Sequence, residues 1–180
     1  MGNEALTTID DDAFAEDDAF VIAAKSKASA WAPLYIFDLD GTIALNDHRK
    51  HLVEGPVKQW ERFFAECVHD APNVPVINTM AGLLMAGAEV RIWSGRSSEV
   101  MMETNQWLTN HLPIDLGQIE LTMRLEGDHC PDDELKQLWL DSMPAFDRGR
   151  LVAVFDDRDS VVAMWRRNGV PCFQVAPGAF

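Results

Sequence analysis

Two aspartates, Asp38 and Asp40, stand two residues apart directly after the apolar run Leu34–Phe37, and Gly41 and Thr42 follow them. On a continuing strand, residues two apart point the same way, so both carboxylates face one place, and Gly41 lets the chain turn. One such carboxylate can attack a phosphoryl group and form an aspartyl-phosphate. The other can protonate the leaving oxygen and later activate water. The competing account is an Asp-Gly turn with Thr42 as its cap.

Three further stretches add to this pair. Ser94-Gly95-Arg96 follows the strand-like run Glu89–Trp93. A strand-end hydroxyl on Ser94 can donate to a phosphoryl oxygen, an amide near Gly95 can assist, and Arg96 can hold phosphate in a bidentate fork. Lys136 carries an ammonium able to neutralise a nucleophile and a transferred phosphoryl group. A surface ion pair with Asp132, Asp133 or Glu134 is the plainer explanation for it. Asp156 and Asp157 end the run Leu151–Phe155. Carboxylates crowded at a strand end are costly without a cation, and a hard oxygen site of this kind suits Mg2+. Asp38 and the Asp40 carbonyl complete the expected metal set of Asp38, Asp40, Asp156 and Asp157.

The elements that must position these residues follow from periodicity. Buried strands are expected over 34–37, 89–93, 119–123, 151–155 and 172–175. Helices are expected over 57–68, 76–86, from a Ser98 cap onward, 132–143 and 160–167. The first starts after Pro56 and has Val57, Trp60, Phe63, Phe64, Cys67 and Val68 on one face. The helix over 132–143 turns Leu135, Leu138, Trp139 and Met143 inward. Strands alternating with helices give an α/β fold, a mostly parallel central sheet with helices on both faces. Ligands of such sheets sit beyond the C-terminal strand ends, where Asp38, Ser94 and Asp156 fall.

In order along the chain, Asp-x-Asp-Gly-Thr, strand-end Ser, helix Lys and strand-end Asp-Asp resemble the four motifs of the haloacid dehalogenase (HAD) superfamily. That likeness implies a Rossmann-like HAD fold with Asp38 as nucleophile, Asp40 as general acid and base, Ser94 and Lys136 on the phosphoryl group, and Mg2+ at the last acidic pair. Asp at position 40 resembles a phosphatase rather than a dehalogenase. Ile92–Arg96, Asp132–Lys136, Phe155–Arg158 and the ending Met164–Val170 with Phe173–Ala176 are similar to the 3'-phosphatase domain of phage polynucleotide kinase/phosphatase. The resemblance implies roles in substrate binding or site organisation for Arg49, nine residues after Asp40, and for Asp132, four before Lys136. Thr42, Gly95 and Arg96 join them as substrate-side residues. The implied substrate is a phosphorylated nucleotide or nucleic-acid end. No Gly-x-x-x-x-Gly-Lys-[Ser/Thr] occurs in these 180 residues, so they hold no kinase signature.

The chain carries a formal net charge of -14. Residues 1–20 hold seven acids and no Lys or Arg, leaving 22 acids against 15 bases beyond them. We read residues 1–30 as an acidic tail and linker, its partner unknown, and 31–180 as the phosphatase domain, with a small helical insertion over 46–73. The acidity argues against long contact with polynucleotide phosphates and keeps a nucleotidase for free nucleoside monophosphates as the alternative. A non-catalytic binding protein on the same scaffold is the reading from another class. No run approaches transmembrane length and no signal peptide is recognisable, so no membrane partner is expected. Three widely spaced cysteines fit a cytoplasmic setting. His48 and His51 lack a further ligand and read as structural or substrate-side. Trp60, Phe63 and Phe64 read as core before they read as a base-stacking surface.

Overall fold

Seven strands follow one another as β1 (Leu34–Phe37), β2 (Ala44–Leu45), β3 (Ala71–Pro72), β4 (Glu89–Ser97), β5 (Ile119–Arg124), β6 (Leu151–Asp156) and β7 (Cys172–Gln174). These come from a computed structural model that describes residues 31–178, Gly55 excepted. The chain divides into two units, Met1–Trp31 and Ala32–Phe180, and the strands belong to the second. The acidic run and the Lys25–Ser29 linker lie outside the described residues.

Five strands form one parallel sheet in the order β5-β4-β1-β6-β7. The strands are apolar on both sides because both faces are covered. On β1, Phe37 points into a core with Val76, Ile77, Met80, Trp107 and Leu108. Its neighbour Ile36 points into a second core with Leu140, Val161, Met164 and Trp165. The first face is covered by α3 (Val74–Met85) and α4 (Met101–His111), the second by α5 (Asp132–Ser142) and α7 (Asp159–Arg167). A short α6 (Ala145–Arg150), not foreseen in the sequence, leads into β6. The expected α/β architecture with helices on both faces is present.

Between β2 and β3 the chain forms α1 (Asp47–Lys50), α2 (Trp60–Ala65) and a 3-10 turn over Glu66–His69. Pairing of Ala44 with Pro72 and Leu45 with Ala71 closes this excursion at its base. That closure matters for the site, because it returns the chain beside the end of β1.

Three helix expectations need correction, the first being that Ser97 rather than Ser98 accepts from the Glu99 N–H, with Ser98–Val100 a 3-10 turn before α4. Helix α2 starts at Trp60, not Val57: the Gln59 N–H is taken by the Leu52 carbonyl at 2.9 Å, which holds the preceding residues in a turn and leaves Val57 exposed. On α5, Leu138 is 60% exposed rather than inward, and Lys136 is buried with Leu135 and Leu140. Residues 136 and 140 share a helical face and 138 lies nearly opposite, so burying the lysine turns Leu138 outward.

Candidate active site

The registers of the parallel strands bring the acids together. Phe37 on β1 pairs with Phe155 on β6, and their rings stack at 4.3 Å. The next N–H, of Asp38, donates to the Phe155 carbonyl at 2.8 Å, which sets Asp38 beside Asp156. From the opposite layer, Lys136 Nζ donates to Asp38 Oδ1 at 2.6 Å and to Asp156 Oδ2 at 2.8 Å. Carboxylate oxygens of Asp38, Asp156 and Asp157 lie within 4.8 Å of one another, and all three residues are buried. Gly41 is required here: its φ is +89°, and a Cβ would lie 2.1 Å from Asp157 Oδ2.

This group is short of positive charge, with three carboxylates against one ammonium. Burial pushes the Asp38 carboxyl well above its ordinary value, Lys136 opposes that, and Asp156 and Asp157 add to it. Asp157 is pushed up to about 6, by burial first and by Asp156 second. Lys136 is held charged: Asp156 and Asp38 overcome its desolvation. One divalent cation would cancel the remaining charge, and oxygen donors suit a hard ion such as Mg2+. The residues present therefore fit a metal at Asp38, Asp156 and Asp157.

Asp40 has the opposite environment. Its Oδ1 accepts from Arg49 Nη2 and Arg96 Nη2, each at 2.5 Å, and its Oδ2 from Arg96 Nε at 3.2 Å. Burial disfavours its charge, but the Arg96 and Arg49 guanidiniums more than reverse this and hold the carboxyl well below the usual range. Arg49 and Arg96 are fully buried and share a second acid, Asp70, at 2.6–3.0 Å. Arg96 also donates to Thr104 Oγ1 at 3.1 Å. The fork expected on a phosphate is thus closed on Asp40 and Asp70. The Asp40 carboxylate lies outside the metal-type cluster, so only its carbonyl remains for the metal role expected of it.

Asp70 went unnoticed in the sequence, where a lone acid before Ala71-Pro72 has no pattern. Charge balance was the available signal: two buried guanidiniums around one carboxylate call for a second. The strand pairing of β2 with β3 delivers it, and the Asp70 carbonyl accepts from Trp107 Nε1 at 2.8 Å.

These groups open on a cavity of about 640 Å3, lined by Asp38, Asp40, Arg96, Lys136, Asp156 and Asp157 among others. Gly95 and Asp132 also line it. A Cβ at Gly95 would meet Asp132 Oδ1 at 2.5 Å, so this glycine lets α5 approach β4. Asp132 is held by Arg124 and by Arg158 Nη1 at 2.5 Å, so its carboxylate is engaged with two cations that the sequence reading did not connect to it. Two expected phosphate-side hydroxyls sit elsewhere. Ser94 is fully buried, does not line the cavity, and its Oγ accepts from the Arg96 N–H at 3.1 Å. Thr42 is buried too, with its hydroxyl 3.4 Å from Asp157 Oδ1. The hairpin-like return of the chain after Gly41 turns Thr42 toward the acids rather than toward the opening. His48 lies 3.8 Å from Asp70 Oδ1, and His51 is exposed.

Residues 32–180 match the family described as the polynucleotide kinase PNKP phosphatase domain. The chain belongs to this family. As a member, it is a HAD-type phosphatase domain, a phosphoric monoester hydrolase. Over 137 residues this domain is 31% identical to a putative bifunctional polynucleotide kinase/RNA ligase of Autographa californica nuclear polyhedrosis virus, covering 74% of the chain but 18% of the viral protein. It superimposes on a chain of the Pnkp1/Rnl/Hen1 RNA repair complex with a TM-score of 0.65 at 29% identity, over 83% of this chain and 44% of that one. A class C acid phosphatase of Bacillus anthracis shares the fold at 15% identity, with a TM-score of 0.53 over 91% of this chain and 73% of that one. The chain thus spans less than half the length of the first two relatives. Among the described residues, no helix is long and apolar enough to cross a membrane.

Proposed function

We propose that this phosphatase domain removes a 3'-phosphate from a DNA or RNA end in two steps, with Mg2+ and an aspartyl-phosphate on Asp38. The observation that carries the reading is the buried Lys136 bridging Asp38 and Asp156 at the edge of a cavity that Asp40 shares. Asp38 attacks phosphorus in line, and the bond from phosphorus to the sugar oxygen breaks. Lys136 favours the ionised form of Asp38 against its burial and stays beside it as charge moves onto the phosphoryl oxygens. Asp40 protonates the departing oxygen, then takes a proton from the water that hydrolyses the acyl-phosphate.

The clamp on Asp40 suits the second of these roles, since an ionised carboxylate is a base. An entering phosphate dianion competes with Asp40 for the Arg96 guanidinium, which lines the cavity. That competition raises the Asp40 carboxyl toward the value an acid needs. Asp38, Asp156, Asp157 and the Asp40 carbonyl are the groups that would hold Mg2+, which supplies Lewis-acid stabilisation of the phosphoryl oxygens. Gly95 borders the phosphoryl position from β4, Ser94 behind it holds the Arg96 N–H, and Thr42, Arg49 and Asp132 organise the groups around it.

The polynucleotide substrate is supported by the relatives named for polynucleotide kinase and RNA repair. A formal net charge of -14 favours a second reading, a nucleotidase for free nucleoside monophosphates. Free thiols at Cys67, Cys130 and Cys172 support a cytoplasmic setting. Phosphate release from a 3'-phosphorylated oligonucleotide, compared with mononucleotides in Mg2+ and in EDTA, decides between them. We expect Mg2+-dependent release that is faster from the oligonucleotide and falls steeply with salt. Equal or faster release from mononucleotides, with a flat salt response, would establish the second reading.

A further inference from the structure

The cavity has an aromatic wall that the chemistry at Asp38 does not use. Helix α2 has six residues and an apolar content too large for one short face to bury. Phe63 goes inward, where the Arg49 guanidinium lies 4.2 Å from its ring centroid. Trp60 and Phe64 line the cavity beside it, their rings 5.8 Å apart and 25° from parallel. Trp60 is 46% exposed. An indole left facing water inside a concave site forgoes the burial that a side chain of its size usually finds. Lys58, also in the lining, places its ammonium 5.5 Å from the Trp60 ring centroid.

A second and independent observation points to a ligand on the same wall. Asn46 lines the cavity, is 2% exposed, and its Oδ1 has no hydrogen-bond partner. It starts α1 without capping it. Its carbonyl accepts from the Arg49 N–H at 3.1 Å, which ties it to the clamp around Asp40. A buried amide oxygen without a donor is unfavourable, and Asn46 is among the residues that line the cavity.

We propose that Asn46, Lys58, Trp60 and Phe64 form the subsite for the nucleoside that carries the scissile phosphate, with its base stacked on the Trp60 indole. The subsite deepens the nucleotidic reading above and rests on it. A base offers a flat π-surface to Trp60 and Phe64. Lys58, exposed on a flexible stem, yields its place over the ring and meets the adjoining phosphate of the chain. A hydroxyl or amine of the same nucleoside donates to Asn46 Oδ1. The insertion thereby does for the leaving group what the sheet edge does for the phosphoryl group.

The test compares two 3'-phosphorylated oligonucleotides in Mg2+, identical except that one lacks the terminal base, with glycerol 2-phosphate as a base-free monoester. In the unaltered protein we expect kcat/KM to favour the base-bearing oligonucleotide by about tenfold or more. Trp60→Ala should bring that ratio close to one, and Trp60→Phe should keep most of it. Trp60→Leu, which retains apolar bulk without a ring, serves if the alanine variant does not fold. A ratio near one in the unaltered protein, or one that survives both the alanine and leucine changes, overturns the subsite while leaving the nucleotidic reading intact. Hydrolysis of glycerol 2-phosphate but of neither oligonucleotide overturns both.

Discussion

Asp38, Asp156 and Asp157 on one hand, and Asp40 and Asp70 on the other, are aspartates from distant parts of the chain, all buried except the part-buried Asp40. They differ in the positive charge supplied to them. The first three share one lysine, and burial with mutual repulsion raises Asp38 and Asp157. The second two share two arginines, which drive Asp40 down, while burial still raises Asp70 despite them. Residue type therefore does not set the job; counter-charge does. An under-compensated group draws in a cation, whereas a balanced one holds a base in a fixed position.

The largest effect should come from removing the nucleophile. Asp38→Asn should lower phosphate release by at least about a thousandfold, because an amide cannot replace the carboxylate as nucleophile. Retention of more than a tenth of the activity would break the assignment of Asp38 to the chemistry. Stability should separate the two groups next. Asp70→Ala takes a carboxylate from the balanced pair and leaves a buried guanidinium short of a partner. Such losses cost about 3–5 kcal/mol, to be read by denaturant unfolding. If Asp70→Ala unfolds no more easily than the parent, the balance we describe is not what holds Arg49 and Arg96.

The contrast also explains what could be read from the sequence. Asp38 and the pair Asp156–Asp157 each follow a continuous apolar run, and acids crowded at a buried strand end are costly without counter-charge. The sheet was legible for the same reason, from strands whose neighbours are equally apolar. Lys136 was legible only as part of the ordered set, and it reversed the expectation for Leu138. Asp70 was not legible, because its role depends on the two-residue pairing of β2 with β3, which no periodicity announces. Nor was the closing of Arg96 on Asp40. A guanidinium after a strand fits phosphate and carboxylate equally well, and only the folded arrangement shows which it meets. The exposure of Trp60 on α2 was hidden too, since helical spacing alone assigns aromatic residues to a core.

Removing a carboxylate from the under-compensated group should act in the opposite direction to Asp70→Ala. Asp157→Asn should stabilise the metal-free protein at neutral pH, by on the order of 1–2 kcal/mol, since its repulsion with Asp156 disappears. The same change should raise the Mg2+ concentration needed for activity. A destabilised metal-free Asp157→Asn would show that this cluster is already balanced by something other than a cation.

The finest distinction is in pH. Asp157 in the folded protein sits at about 6 against an ordinary 3.8. A carboxyl raised on folding penalises the fold fully above the folded value, and the penalty fades as pH falls toward the unfolded one. Asp40 moves the other way, so its contribution is already complete above 3.8 and is lost only in stronger acid. Between pH 4 and 7 the Asp40 contribution is therefore constant, while the carboxyls raised by burial, Asp157 among them, respond. The rise in Tm on adding Mg2+ should be a few degrees at pH 7.5 and should shrink below pH 6, where protons compete for the ligands. A Mg2+ shift that stays constant from pH 7.5 to 5 would mean that the cation binds without these carboxylates, and the distinction between the two groups would lose its functional meaning.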